Sequence, residues 1–397
     1  MTPHSLVKGR IHYVGVNDRQ KHLFEGMWPL PYGVSYNSYL IDDQHVCLVD
    51  TVDTAFFEIF LRKIHQIIGD RPIEYLIVNH MEPDHSGSIR LIRQAYPDVV
   101  IVGNKQTFGM IEGFYGVTGG QLLVKDGDTL DLGHHQLRFY LTPMVHWPET
   151  MMTWDQTEGV LFAGDAFGCF GALDGGFLDT TINLDRYWDE MTRYYSNIVG
   201  KYGVPVQRAL AKLGSLPIQT ICSTHGPVWT ANIARVVDVY DRLSRYQAEQ
   251  GVVIVYASMY GNTEQMAEAI AEGLVQQGVK NVVLHNVSKS HPSYILADIF
   301  RYQGLIVGSP TYSNGIYPEV ESLLQKILLR EVKGRLLAYF GSFTWGGGAV
   351  KKMADFATQS KFTLVAEPVE MKQGFTPAVG QKCQVLAQAM AQALSNA

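Results

Sequence analysis

The chain has 397 residues, 46% of them hydrophobic, which is ordinary for a globular protein and long enough for two or three domains with separate cores. A net charge of −6, with no Lys/Arg run, excludes a general nucleic-acid surface. No apolar stretch approaches the ~20 residues of a membrane span and the N-terminus lacks the apolar core of a secretory signal, so the expectation is a cytoplasmic protein that engages neither nucleic acid nor membrane.

The apolar runs Ile11–Val16, Tyr36–Ile41, Val46–Asp50 and Leu137–Leu141 alternate with turns and predict a sandwich of two sheets flanked by helices. Tyr75–Val78 predicts a buried strand. Directly after it come His80, Glu82, Asp84 and His85. Loops at the C-terminal ends of strands are free to bend around a ligand. Two imidazoles, two carboxylates and no thiolate suit a hard or borderline metal pair better than a structural zinc. Alone, such a cluster is an ordinary solvated loop. Three later segments repeat the arrangement, placing His146, Asp165 and His225 in short turns after apolar runs, beside the turn-fixing Pro143, Gly164, Gly226 and Pro227. Seven ligand-type residues match two metals that share one carboxylate.

Met191–Asn197 predicts a helix near these groups. Its Tyr194 and Tyr195, with Trp147, are candidates to flank the metals, and Tyr195 is placed among the catalytic residues as a hydroxyl able to donate a hydrogen bond or proton. Core packing is the alternative for each. His4, His12, His22, His45, His65, His134, His135, His285 and His291 have no motif context and read as surface or core residues. Cys47, Cys169, Cys222 and Cys383 lie far apart, form no Cys-x-x-Cys pair and read as buried apolar residues.

A helical pattern over 231–246 ends in the polar stretch Gln247–Gly251, which predicts domains at 1–248 and 249–397. Gly251–Ala257 is an apolar strand leading into Ser258, Met259, Tyr260, Gly261, Asn262 and Thr263, and then a helix with Met266, Ile270 and Leu274 along one face. A hydroxyl-rich turn at a helix N-terminus is an anion site, because free N–H groups and the helix dipole point at it. The Gly-Lys-Ser/Thr ending of a Walker loop is missing. Leu305–Gly308 leads into a second loop containing Pro310, Thr311, Tyr312, Ser313, Asn314 and Gly315. Leu336–Phe340 leads into a third with Ser342, Phe343, Thr344, Trp345, Gly346 and Gly347. Each loop alone could be a helix cap or an ordinary turn; three in register suit a flat aromatic ligand stacked on side chains and held by main chain. Strand and helix alternate through about five rounds, the pattern of a doubly wound parallel sheet.

The order of a His-x-x-x-Asp-His frame, Gly-Asp and a late Ser-Thr-His-Gly resembles the metallo-β-lactamase fold, and the 258–263 loop resembles the flavodoxin loop that holds the 5′-phosphate of FMN without a basic side chain. Hydrolytic zinc members of the first superfamily carry His where this chain has Glu82. A carboxylate there adds negative charge and a hard donor, shifting preference toward iron or manganese. Joined in this order, the two halves resemble the flavodiiron proteins, or A-type flavoproteins, over essentially the whole chain.

That resemblance implies an α/β protein: a metallo-β-lactamase-like αββα sandwich followed by a flavodoxin-like doubly wound parallel sheet. It implies FMN, two non-haem Fe ions, and reduction of O2 to water or of NO to N2O, with O2 placed first. One iron would take His80, Glu82 and His146, the other Asp84, His85 and His225, with Asp165 bridging. It further implies a head-to-tail homodimer or a dimer of dimers, with Trp345 near the junction. No rubredoxin with its Cys-x-x-Cys pairs is expected within the chain, so electrons would come from an external donor, a rubredoxin-like protein or a reduced deazaflavin. Two competing readings are a di-metal hydrolase with a regulatory flavodoxin domain and a simple FMN electron carrier. Metal identity separates the first, gas consumption the second.

Overall fold

The computed structural model describes residues 5–397, so His4 lies outside the described residues. Two of the apolar runs read as single strands are each broken in the middle. Ile11–Tyr13 pairs with Tyr39–Ile41, whereas Val16–Asp18 pairs with Val34–Tyr36 in a separate two-stranded ribbon. Both strands of this antiparallel pair leave the large sheet at the same level. The physical cause is Asn37: its amide donates to the carbonyls of Ser223 and Gly226, and its oxygen accepts the Tyr13 hydroxyl. A buried side chain satisfied in this way is inserted where ladder bonds would otherwise continue.

The chain divides into two compact units, Met1–Asp241 and Arg242–Ala397. The division falls inside the helix Ile233–Ser244, before the polar stretch at 247–251. The reason lies in Arg335, 1% exposed, which donates to the Tyr246 carbonyl and to those of Ile299 and Phe300 at the end of the helix Pro292–Arg301. A buried guanidinium without a carboxylate is tolerable only because carbonyls take up its protons. It ties the segment before the first strand of the second unit into that unit.

In the first unit, a seven-stranded sheet runs Leu6–Lys8, Ile11–Tyr13, Tyr39–Ile41, Cys47–Val49, Tyr75–Ile77, Val100–Gly103 and Gln121–Leu123 in spatial order. A five-stranded sheet runs Thr129–Asp131, Gln136–Leu141, Met151–Asp155, Val160–Gly164 and Thr220–Ser223. The sheets meet face to face: the rings of Tyr39 and Phe162 lie 5.5 Å apart, and the Tyr39 hydroxyl reaches the Ser223 carbonyl at 2.7 Å. Cys47–Val49 and Val160–Gly164 are buried at every position, as strands covered on both sides must be. The helix Phe57–Ile68 buries Phe60, Ile64 and Ile68, one face at a spacing of four. This is the αββα sandwich expected from the sequence.

The second unit has a parallel sheet ordered Val282–Asn286, Glu249–Tyr256, Tyr302–Pro310, Leu336–Phe343 and Thr363–Leu364, with Val369–Lys372 also pairing to Leu336–Phe343. The first strand in sequence lies between the second and third, so the winding direction reverses there. Such a switch point opens a crevice beyond the strand ends, where doubly wound sheets bind their ligands.

Candidate metal centre and flavin pocket

All seven predicted ligands are buried, none more than 7% exposed, and they converge on one pocket of the first unit. His146 Nε2 lies 3.2 Å from Glu82 Oε2, 3.3 Å from His80 Nε2 and 3.0 Å from Asp165 Oδ2. On the other side, His225 Nε2 lies 3.3 Å from Asp84 Oδ2, and His85 Nε2 lies 3.1 Å from Asp165 Oδ1. Asp165 thus presents one oxygen to each group of three. The strand ends explain the convergence. Tyr75–Ile77 delivers His80 to His85, Val160–Gly164 delivers Asp165, and Thr220–Ser223 delivers His225. Pro83 starts a short helix that aims Asp84 and His85 inward. Gly226 must be glycine: its φ is +78°, and a Cβ would lie 2.3 Å from Cys169 Sγ.

The pocket fits a pair of cations. Both oxygens of Asp84, and Nε2 of His85 and His225, are buried and reach no hydrogen-bond partner. Burial alone would lower the imidazoles, yet the neighbouring carboxylates push His85 and His146 up to about 10. Burial alone would raise Asp165, but His85 and His80 outweigh it and hold its carboxyl well below the usual range. Protons on the imidazoles are the charge that metals would replace.

The tyrosines need a correction. Tyr194, not Tyr195, lies against the metal pocket: its ring is 5.7 Å from that of His225, while the Tyr195 ring packs against Tyr240 at 5.1 Å. Successive helical residues point about 100° apart, and the turn from the α-helix Asp185–Tyr194 into the wider helix Tyr195–Val199 sets the phase. Sequence could place the helix but not its rotation. Trp147 packs its ring 5.3 Å from that of His80. Three neighbours were missed. Glu149 accepts from His80 Nδ1 at 2.7 Å and from the Met81 N–H at 2.9 Å, and its signal was a carboxylate three residues after His146. Phe24 and Tyr36 place rings 5.5 Å and 6.1 Å from His225, with no local signal at all. Of the histidines read as structural, His45, His135 and His285 pair with Glu74, Asp155 and Asp298, away from the seven.

In the second unit the three loops enclose a cavity of about 500 Å³ at the switch point. Ser258, Met259, Tyr260, Asn262, Thr263, Pro310, Thr311, Tyr312, Ser313, Asn314, Ser342, Phe343, Thr344, Trp345 and Gly346 line it. Gly261, Gly315 and Gly347 do not; they shape the loops. Gly261 has a φ of +88°, and Gly315 closes a tight turn with Tyr312 through two backbone hydrogen bonds. The loops also hold one another. Thr263 and Ser342 hydroxyls lie 2.8 Å apart, and Thr311 Oγ1 accepts the N–H groups of Gly348 and Ala349 at the start of the helix Ala349–Ser360. Gln373, which the sequence reading missed, joins the lining just past the strand Val369–Lys372. Trp345 and Tyr260 are 90% and 89% exposed beside the cavity.

A lactamase-type sandwich in which one carboxylate faces two groups of ligand-type residues, joined to a flavodoxin-type sheet with a cavity at its switch point, defines a two-unit protein of the metalloflavoprotein class. Comparison with known proteins agrees. The ODP family of β-lactamase-type domains matches residues 34–226 and the flavodoxin family matches 254–393. The anaerobic nitric oxide reductase flavorubredoxin of Vibrio vulnificus is 35% identical over 369 residues, 91% of this chain and 74% of that protein. The rubredoxin oxygen:oxidoreductase of Desulfovibrio gigas superposes with a TM-score of 0.94 at 32% identity, covering 98% of each chain. The flavodiiron protein of Giardia intestinalis also gives 0.94, at 26% identity over 98% of this chain and 95% of that one. The chain belongs to the flavodiiron protein family.

Proposed function

We propose that this protein is an oxidoreductase that reduces NO or O2 at a non-haem diiron pair, with FMN relaying electrons from an external donor. The carrying observation is Asp165, whose two carboxylate oxygens face two groups of two imidazoles and one carboxylate. In this reading His80, Glu82 and His146 would hold one iron, Asp84, His85 and His225 would hold the other, and Asp165 would serve both. The pair supplies one-electron chemistry on a small gas; the protein supplies a buried pocket, fixed imidazoles and the Trp147, Phe24 and Tyr36 rings that crowd out bulk water. The Tyr194 hydroxyl, buried without a hydrogen-bond partner, is the proton donor proposed on the His225 side.

The 500 Å³ cavity would hold FMN, with the 258–263 loop available to its phosphate and Tyr312 and Trp345 available to its ring. A head-to-tail homodimer, or a dimer of such dimers, is supported by Trp345 and Tyr260, large aromatics left exposed at the cavity rim. The donor is a rubredoxin-like protein or a reduced deazaflavin. A cytoplasmic site of action is supported by four buried, unpaired cysteines; among the described residues no helix is long and apolar enough to cross a membrane. NO and O2 stand side by side, since one relative is named for each gas. A hydrolase is not favoured, because Glu82 stands where the zinc hydrolases carry His and the flavin pocket would have no task.

The test is anaerobic reduction of purified protein, with iron and FMN quantified, followed by parallel additions of NO and O2. Two irons and one FMN per chain, with flavin reoxidised by one gas, is the expected result. Zinc in place of iron, or flavin indifferent to both gases, overturns it.

A further inference from the structure

The two halves of the metal pocket match in their own ligands but differ in what stands behind them. Behind His80 is a buried carboxylate, Glu149, whose Oε1 accepts the imidazole Nδ1–H at 2.7 Å. Behind His225 is a neutral carbonyl, that of Ser35, also at 2.7 Å. His85 has no such hydrogen bond among the described residues: its Nδ1 is buried without a partner, and the nearby Asp50 carboxylate acts on it through charge alone. A carboxylate pulling on the far N–H makes an imidazole a stronger, more anionic donor than a carbonyl does.

The shared carboxylate is biased the same way. Asp165 Oδ1, the oxygen nearer His85 and His225, accepts the Thr224 hydroxyl. Oδ2, nearer His146 and His80, accepts no hydroxyl among the described residues. A hydrogen bond accepted by one oxygen draws density from it and weakens its donation to a metal. Another buried carboxylate, Asp50, acts more on His85 than on His80 by charge, but it commits both oxygens to Asn79 and accepts no hydrogen bond that would polarise a ligand imidazole.

We infer that Glu149 and Thr224 make the two irons inequivalent, so that the iron of Asp84, His85 and His225 accepts an electron first. The iron of His80, Glu82 and His146 then stays ferric in the one-electron-reduced pair. Stronger anionic donation stabilises Fe(III) over Fe(II), and both hydrogen-bond asymmetries place it on the His80 side, against the through-space charge of Asp50 on His85. Each step moves one electron from the reductant to one iron, with no protein bond made or broken. Both residues are positioning residues: Glu149 acts through His80, Thr224 through Asp165. The inference rests on the diiron reading above.

The test is an anaerobic redox titration of the holoprotein with dithionite and mediators, following the mixed-valence EPR signal, with iron and FMN content measured on the same samples. Glu149→Gln is a clean removal of charge, because Oε1 keeps both donors and Oε2, the atom replaced, has no hydrogen-bond partner. It raises the lower iron potential. Thr224→Val removes the hydroxyl and lowers the higher one. Each variant reduces the comproportionation constant about tenfold, a narrowing of ~59 mV for a one-electron couple, and the mixed-valence signal shrinks. If either variant keeps both irons with an unchanged gap, the inference is wrong while the diiron reading stands. If Glu149→Gln does not hold iron, Thr224→Val decides alone. A wild-type chain without iron strikes the diiron reading instead.

Discussion

Asp50 holds Asn79 at two points, accepting its backbone N–H at 2.8 Å and its side-chain amide at 3.1 Å, and Asn79 is the residue directly before His80. The first ligand loop is therefore aimed from a neighbouring strand's end. Asp50→Ala leaves the Asn79 N–H buried without an acceptor, at a cost of about 1.5–3 kcal/mol in stability and about tenfold in metal affinity. Asp50→Asn keeps an acceptor, and its positive φ of 55° suits Asn, so it loses less. Urea unfolding together with iron content per chain measures both.

Metal removal should expose the strain of the bare pocket. Three carboxylates and four imidazoles are buried together, and a ligand that binds only the folded state stabilises it by mass action. Chelation is expected to lower Tm by several degrees. Asp165→Asn should bind less of both irons, because each group of three loses a donor, and its Tm should respond less to chelation. Differential scanning calorimetry with metal analysis reads the two effects.

Gly348 sets the spacing of two flavin loops. A Cβ there would lie 2.5 Å from the Asn314 carbonyl oxygen, a backbone atom with little room to yield. Gly348→Ala should push the 311–315 loop outward and weaken FMN binding about tenfold, ~1.4 kcal/mol. Iron content should not change, since the metal pocket belongs to the other unit. Flavin fluorescence titration of the deflavinated protein checks the first point.

Asp179 gathers donors from Thr230, Ala231 and Asn232 at the start of the helix Ile233–Ser244. Burial would raise its carboxyl, but the bonds from Thr230 and Asn232 win and hold it below the usual range. A depressed carboxylate contributes stability above its unfolded value of ~3.9 and loses it as pH falls through the folded value. Asp179→Ala should therefore cost about 2 kcal/mol at neutral pH, and the difference from wild type should vanish in acid. Denaturation at a series of pH values between neutral and strongly acid shows whether the gap closes.

The ligand types, their number and their chemistry were legible because each sits within a few residues of a strand's end, where an apolar run stops and a turn begins. Strand existence follows from local hydrophobic pattern, so His80, Asp165 and His225 announced themselves. The flavin loops were legible for the same reason, one after each parallel strand of the second unit. Local pattern carries no information on how far a ladder continues, and so Ile11–Val16 and Tyr36–Ile41 read as unbroken until Asn37 was seen inserted between sheets. Nor does it fix the rotation of a helix end, which gave the place beside His225 to Tyr194 and not Tyr195.

What the sequence determined by itself was the inventory: two units, seven ligand-type residues, three small-residue loops, and a carboxylate at Glu82 that shifts preference from zinc toward iron or manganese. What only the tertiary structure decided was which atom faces which. The two faces of Asp165, the Glu149 carboxylate behind His80, and the rings of Phe24 and Tyr36 over His225 join residues distant in sequence. Chemistry type is a property of side chains, but which imidazole each carboxylate oxygen faces is set by contacts a few ångströms long that only packing creates.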